Sequence, residues 1–214
     1  MKIQFDPNLD FQKQAIESVA GVFEGQEICQ TNFTVAPLQY TNQQVIPGME
    51  NNLGIGNRLK LLPEDIHKNI QKIQLQNGLA PSDAFSSKDG IHLTVEMETG
   101  TGKTYVYLRS IFEMNRLYGF TKFIIVVPSI AIKEGVAKSL EITAEHFKEL
   151  YENVTFDAFV YDSSKLSDVR NFATSPDIQI MVINIDAFRK SFTDPEKENK
   201  ANIIHRFHDR GQAD

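Results

Sequence analysis

A glycine-containing loop at residues 99–104 constrains the fold of this chain more than any other feature. The loop reads Thr-Gly-Thr-Gly-Lys-Thr and lies between an apolar-alternating stretch, Ile91 to Glu96, and a stretch of helical periodicity, Tyr105 to Tyr118. The first pattern is typical of a strand, and the second is typical of an amphipathic helix that ends at Gly119. A strand, a glycine loop and a helix in this order indicate a phosphate-binding loop within an α/β domain.

The residue types of this loop specify its chemistry. Glycines let the backbone N–H groups point towards phosphate oxygens, and the positive end of the following helix adds to the attraction. Lys103 can reach the β- and γ-phosphates of a nucleotide, and the Thr104 hydroxyl can bind Mg²⁺. We therefore expect ATP and Mg²⁺ as ligands, with Lys103 and Thr104 in catalytic roles. The expected nucleotide-binding residues of the loop are Thr99, Gly100, Thr101, Gly102, Lys103 and Thr104.

The composition is that of an ordinary globular protein. Hydrophobic residues make up 41% of the 214 residues and charged residues 23%, which is compatible with one domain and an appendage. A net charge of -6 provides no overall basic field for nucleic acid, although a local groove stays compatible with it. Residues 1–6 lack the apolar core of a signal peptide, no apolar run approaches 18 residues, and Cys29 is the only cysteine. A reducing, cytoplasmic location is therefore expected.

Strand and helix patterns alternate after the loop and predict a mostly parallel sheet. The predicted strands are Lys122–Val127, Thr155–Val160 and Ile178–Ile183, of which the first is apolar enough for a strand covered on both faces. Helices are predicted at Asp10–Glu24, Pro63–Asn77, Ser129–Leu150, Ser167–Phe172 and Ala201–Arg210.

Three stretches of different character follow one another along the chain. Residues 1–25 form an N-terminal helix. Residues 26–89 form an insertion with one helix, and its part up to Asn57 is rich in Gln, Asn, Gly and Thr, with one short strand near Phe33. Residues 90–214 form the α/β domain that contains the glycine loop. We predict these as the domain boundaries.

A glutamine element lies upstream of the loop. The segment Phe11-Gln12-Lys13-Gln14-Ala15-Ile16 resembles the aromatic-Gln element that precedes motif I in superfamily 2 helicases. In that superfamily the glutamine amide recognises adenine through its paired donor and acceptor groups. The resemblance implies that Phe11 and Gln12 contact the nucleotide. A solvated glutamine on an amphipathic helix is the alternative interpretation.

Two segments that follow strands resemble the nucleic-acid contacts of the same superfamily. Val126-Val127-Pro128-Ser129 resembles motif Ia, and Asn184 to Lys190 lies where motif Ib occurs. Such contacts position the nucleic-acid backbone without recognising its sequence. The resemblance implies contacts from Pro128, Ser129, Asp186 and Arg189. Asp186 could instead be a Walker B acid, but Ala187 follows it where helicases have a glutamate, which favours motif Ib.

Together these segments resemble the restriction subunit of Type III restriction-modification enzymes. The resemblance implies an incomplete RecA-like first motor domain from an ATP-dependent DNA translocase and site-specific endonuclease. It also implies double-stranded DNA as substrate, a methyltransferase subunit as partner, and further motor and nuclease domains. No motif II, motif VI or nuclease carboxylate cluster is found in the sequence. We therefore expect that the chain is the front part of a longer protein, that it ends shortly before motif II, and that it is inactive in ATP hydrolysis alone.

Three alternatives stay open at the level of sequence. The first is the motor of another superfamily 2 protein, either of a Type I restriction system or of a repair helicase. The second is a truncated, non-enzymatic remnant that binds nothing strongly or only docks on a partner subunit. The third is a small-molecule kinase, which would leave the segment before the loop and the motif Ia-like strand unexplained.

Overall fold

A computed structural model describes residues 5–34, 53–83 and 90–189 of the chain. Its helices are α1 (Asp10–Gly21), α2 (Pro63–Gln76), α3 (Lys103–Tyr118), α4 (Ile130–Leu150), α5 (Leu166–Thr174) and α6 (Asp186–Arg189). Its strands are β1 (Gln30–Thr34), β2 (Leu53–Asn57), β3 (Lys122–Val127), β4 (Phe156–Val160) and β5 (Ile178–Asn184). The predicted α/β class is confirmed. The helix predicted at residues 201–210 lies outside the described residues.

Helix boundaries follow the local sequence closely. α2 begins at Pro63, whose missing N–H costs nothing in the first turn, and Glu64 and Asp65 lie at the positive end of the helix. α1 ends at Gly21, three residues before the predicted end at Glu24. Residues 22–25 continue as tighter turns, in which the N–H of Glu24 donates to the carbonyl of Gly21 at 3.1 Å. None of the helices in the described ranges is long and apolar enough to cross a membrane.

The described residues form two compact units by their contacts, and α4 contributes to both. The first unit contains residues 5–31, 56–83, 90–121 and 142–154, and therefore α1, α2, α3 and the C-terminal half of α4. Its interior is largely aromatic, because Phe112 of α3 and Phe147 of α4 are almost fully buried with ring centroids 4.7 Å apart. Beside this, Val22 packs on Ile66 and Ile70 of α2.

The second unit contains residues 32–34, 53–55, 122–141 and 155–189 and holds a parallel three-stranded sheet. The strand order is β3-β5-β4, so β5, the last of the described strands, lies in the middle. Its first six residues are all buried, which agrees with their continuous apolar sequence. The prediction that β3 is covered on both faces is wrong for the described residues, where Ile124 and Val126, two positions apart and thus on one face of the strand, are half exposed.

Two further sequence expectations differ from the structure. Residues 91–96 form no strand, although their alternating pattern predicted one. A strand requires a hydrogen-bonded neighbour, and among the described strands β1 pairs with β2 while the other three form the parallel sheet. β2 lies in the insertion where only one strand was expected, because two glycines interrupt its apolar pattern.

Candidate nucleotide-binding site

The backbone of the glycine loop has the conformation that its sequence predicts. Gly100 and Gly102 have φ angles of 84° and 83°, in the left-handed region that glycine adopts without steric cost. α3 begins directly afterwards at Lys103, and the N–H of Val106 donates to the carbonyl of Gly102 at 3.0 Å. The loop therefore leads into a helix N-terminus whose first N–H groups have no partner within the helix. That arrangement suits an anion.

The carbonyl oxygen of Glu98 accepts hydrogen bonds from two side chains of the loop. The ammonium of Lys103 donates to the carbonyl of Glu98 at 2.8 Å, and the Thr101 hydroxyl donates to the same oxygen at 2.7 Å. Both donors therefore converge on an oxygen atom at the base of the loop. A phosphate oxygen is a stronger acceptor for an ammonium group than a neutral carbonyl, because the hydrogen bond becomes charge-assisted on both sides. Because the Lys103 side chain is exposed, it can move from the Glu98 carbonyl to a phosphate oxygen without disrupting packed side chains.

Gln12 lies against this loop although the sequence separates them by 89 residues. Its side-chain amide donates to the carbonyl of Thr101 at 2.9 Å, and only 7% of the residue is exposed. A Cβ atom added to Gly102 would lie 2.7 Å from the Gln12 amide nitrogen. Gln12 is thus packed on the loop rather than solvated. Its neighbour Phe11 is 47% exposed.

A cavity of about 1290 Å³ opens beside the loop within the first unit. Phe11 and Thr101 lie at its wall together with residues 91–98, and most of the remaining wall is apolar, from Val22, Ile70 and their neighbours on α1 and α2. Its volume exceeds the 300–1,000 Å³ that is common for small-ligand sites. Phe11 lines this cavity, whereas Gln12 and Lys103 are not among the residues that line it.

Thr99 and Thr104 complete the loop on either side of the glycines. Thr99 is exposed, and Thr104 is half-buried in the first turn of α3. Burial raises the pKa of the Tyr107 phenol one turn further on, and a hydrogen bond with Thr104 partly opposes this. In the described part of the chain, no group of three or more His, Cys, Asp or Glu residues could hold a metal ion.

The expected nucleic-acid contacts lie in the second unit, at the carboxyl ends of β3 and β5. These ends are adjacent, because the N–H of Ile185 donates to the carbonyl of Val127 at 2.9 Å. Pro128 and Ser129 follow β3, and the Ser129 hydroxyl accepts from the N–H of Ile132 at 3.3 Å in the first turn of α4. The structure thus brings the two segments to one edge of the sheet.

Asp186 and Arg189 are the first and last residues of the short helix α6, which directly follows β5. The N–H of Asp186 donates to the side-chain oxygen of Asn184 at 2.8 Å, so the turn between strand and helix is closed by a side chain. The sequence patterns did not predict this helix, because four residues are too few to show helical periodicity.

A polar network between α3 and Tyr151 was not predicted from the sequence. Arg109 of α3 donates to the Tyr151 hydroxyl at 3.3 Å, and this hydroxyl donates to the Glu113 carboxylate at 3.1 Å. Burial raises the pKa of Tyr151 to about 12. Burial also disfavours the charge of Glu113, but hydrogen bonding and attraction to Arg116 outweigh it and lower the pKa of that carboxyl. One signal was available, since Arg109 shares a helical face with the buried aromatics Tyr105 and Phe112.

Comparison with known proteins identifies the family. The profile of the family described as "Type III restriction enzyme, res subunit" matches residues 9–209, which is nearly the whole chain. The chain belongs to this family. The predicted resemblance is thereby confirmed, and the glycine loop and parallel sheet are parts of the RecA-like P-loop helicase fold of the Type III restriction enzyme res subunit.

Curated relatives agree with this assignment. The chain is 33% identical over 164 residues to the Type III restriction-modification enzyme EcoPI Res subunit of Escherichia phage P1. That alignment covers 75% of this chain and 15% of the phage protein. The chain is 42% identical over 110 residues to the EcoP15I Res subunit of Escherichia coli, which covers 50% of this chain and 11% of that protein. The chain therefore corresponds to a small part of the length of both relatives.

Proposed function

We propose that this chain is the ATP-binding front part of the motor of a Type III restriction system. The observation that carries the proposal is the junction of three elements at one loop: two left-handed glycines, the ammonium of Lys103 at a loop carbonyl, and the amide of Gln12 on Thr101. Family membership supports the restriction-system motor in general. ATP as the particular ligand is inferred from the chemistry of these residues.

The residues present fit MgATP. Backbone N–H groups at the start of α3 and the ammonium of Lys103 are donors suited to phosphate oxygens, and the Thr104 hydroxyl is an oxygen ligand suited to Mg²⁺. The amide of Gln12 keeps one N–H and its carbonyl oxygen for a base after its donation to Thr101. When bound, MgATP supplies the phosphoanhydride whose hydrolysis drives a motor.

The chain's own residues would then act by positioning and charge stabilisation. On binding, the ammonium of Lys103 would exchange the carbonyl of Glu98 for oxygens of the terminal phosphates and neutralise their charge, and the Thr104 hydroxyl would hold the metal ion. An arginine from a second motor domain is worth about 10³ to 10⁵ in rate in related phosphoryl-transfer proteins. We expect that residues 1–214 alone bind nucleotide and do not hydrolyse it in response to DNA.

The carboxyl edge of the sheet is the proposed nucleic-acid contact. Pro128 and Ser129 on one segment and Asp186 and Arg189 on the other come to adjacent strand ends, where exposed backbone and hydroxyl groups can contact a phosphate backbone. We also propose that the motor acts on double-stranded DNA, works with a methyltransferase subunit and is located in the cytoplasm.

The test is titration of a fluorescent ATP analogue into the chain with Mg²⁺, beside Lys103→Ala. We expect saturable binding by the wild type and at least tenfold weaker binding by the variant, because the variant loses a charge-assisted hydrogen bond worth about 1.5–3 kcal/mol. Lys138→Ala is the matched control, since that lysine pairs with Glu141 on the surface of α4. Equal affinity of the wild type and Lys103→Ala would contradict an ATP site at this loop.

A further inference from the structure

The segment before α1 is held in place by residues that lie outside the glycine loop. Arg109 of α3 donates from its terminal nitrogen to the carbonyl of Pro7 at 2.6 Å. Two residues earlier, the ring of Phe5 stacks on Tyr105 with centroids 5.8 Å apart and an angle of 13° between the rings. Phe5 also lies 5.3 Å from the His146 ring. The segment therefore has a polar and an aromatic anchor on the same helix, α3, that follows the loop.

This segment leads directly into the turn that presents Gln12. The N–H of Asn8 donates to the Asp6 carboxylate at 2.8 Å, which closes a tight turn after Phe5. The N–H groups of Gln12 and Lys13 both donate to the carbonyl of Leu9, at 3.1 and 3.0 Å, and start α1. Leu9 lies only two positions after Pro7, so the position of the Pro7 carbonyl limits where the first turn of α1 can lie.

Arg109 is itself rigidly placed. It donates to Tyr151, and Tyr151 donates to Glu113 on the turn of α3 that follows Arg109. Burial opposes the charge of Arg109, but hydrogen bonding to Tyr151 and nearby polar groups outweigh this and raise the pKa of the guanidinium. A half-buried arginine that donates to two fixed partners, one of them a backbone carbonyl of another segment, holds that segment by geometry, because the planar guanidinium has a preset direction for each donor.

We propose that Arg109 is a positioning residue for nucleotide recognition: it fixes residues 5–9, and through them holds Gln12 against the phosphate loop. Two contacts thus hold the stretch from Pro7 to Gln12, one from Arg109 to the Pro7 carbonyl before α1 and one from Gln12 of α1 to the Thr101 carbonyl. Arg109 touches no nucleotide in this scheme. The expected consequence is that Arg109 affects the preference for adenine and not the affinity for phosphate. This consequence rests on the proposed function.

The experiment compares Arg109→Gln with Arg116→Gln in the full chain 1–214. Arg116 lies on the same helix, is exposed and pairs with Glu113, so its replacement perturbs the far end of the same network and leaves the contact from Arg109 to Pro7 in place. ATP, GTP and inorganic tripolyphosphate are titrated into each variant. For Arg109→Gln we expect about tenfold weaker ATP binding, equivalent to one lost hydrogen bond to the base, with GTP and tripolyphosphate affinity within about twofold of wild type. Arg109→Lys, which can still donate to Pro7, is expected to restore part of the preference.

A double variant tests whether the effect passes through Gln12. If it does, Arg109→Gln reduces ATP affinity no further in a Gln12→Ala background. An equal reduction in both backgrounds, or an equal loss for ATP, GTP and tripolyphosphate, overturns the proposal, because a general loss of stability would produce either result.

A second measurement separates this inference from the proposed function. Amide hydrogen exchange at Gln12 and Lys13 in the nucleotide-free protein reports the first turn of α1 directly. We expect faster exchange there in Arg109→Gln than in Arg116→Gln, with unchanged exchange in the buried strand β5. Unchanged exchange at Gln12 and Lys13 overturns the positioning role. Absence of ATP and tripolyphosphate binding by the wild type overturns the proposed function instead, and the exchange result then decides the positioning role alone.

Discussion

The side-chain amide of Gln12 donates to the backbone carbonyl of Thr101 at 2.9 Å, joining the first helix to the glycine loop. The two residues lie 89 positions apart, and Gln12 is buried at the contact. Loop conformation and helix position are therefore linked by one directional bond. A change at Gln12 is therefore expected to affect both the stability of the first unit and the binding properties of the loop.

The replacement Gln12→Ala removes this bond. We expect a loss of about 1–3 kcal/mol in the free energy of unfolding, because the Thr101 carbonyl loses a buried donor. Urea unfolding followed by circular dichroism measures it. Gln14→Ala is the control, since Gln14 is exposed and its bond to Asn77 lies at the surface. Equal unfolding midpoints for the two variants would show that the Gln12 bond contributes no more than a solvent-exposed one.

The two loop glycines provide a matched pair of substitutions. Both Gly100→Ala and Gly102→Ala force a side chain into the left-handed region, at a cost of about 1–2 kcal/mol each. Only at Gly102 would the new Cβ meet another group, 2.7 Å from the Gln12 amide nitrogen, whereas nothing lies within 4 Å of it at Gly100. We expect a larger loss of stability for Gly102→Ala, measured by thermal unfolding. The reverse order would contradict the packing of Gln12 on the loop.

Phe147 is the side chain whose removal is expected to destabilise the first unit most. It is fully buried between the rings of Phe112 and Tyr105, at centroid distances of 4.7 and 5.4 Å. Phe147→Ala leaves a cavity and should cost about 3–5 kcal/mol. Phe11→Ala, at a half-exposed position, should change the free energy of unfolding by about 0.5 kcal/mol or less. Comparable losses in denaturant unfolding would show that the aromatic interior is not the main core of this unit.

His146 makes stability depend on pH in the mildly acidic range. Burial first, and the charge of Arg109 second, lower the pKa of its imidazole, while Glu149 opposes this. The unfolded chain thus takes up the proton at a higher pH than the folded protein. The contribution of neutral His146 to the free energy of unfolding is fully present above the ordinary histidine pKa of about 6.5. It is lost as the pH falls below that value, by at most about 1.4 kcal/mol per pH unit for one proton.

The replacement His146→Gln tests that dependence. It keeps a polar partner near Tyr105, whose hydroxyl lies 2.9 Å from the imidazole, and removes the titrating group. Melting temperatures of both proteins are measured between pH 7 and pH 5. We expect the difference between wild type and variant to shift in favour of the variant as the pH falls. Parallel curves would mean that His146 binds its proton equally in the folded and unfolded states.

Local sequence patterns were sufficient to predict those parts of the structure that depend only on residues close together in the chain. The limits of β3 and the end of α3 at Gly119 follow from apolar runs and glycine, and the glycine loop follows from its own residues. The pattern at residues 91–96 was an equally good strand signal, and yet no strand forms there. Alternation reports only which side chains suit a sheet, whereas a strand also needs hydrogen bonds from a second segment.

The sequence by itself determined the family, the α/β class and the loop with Lys103 and Thr104, because these depend on the order and spacing of residue types along the chain. Only the tertiary structure decided that Gln12 packs on Thr101, that Arg109 reaches Pro7, and that β5 lies between β3 and β4. Each of these contacts joins residues more than 20 positions apart. Their formation depends on how helices and strands pack in three dimensions, which no local periodicity encodes.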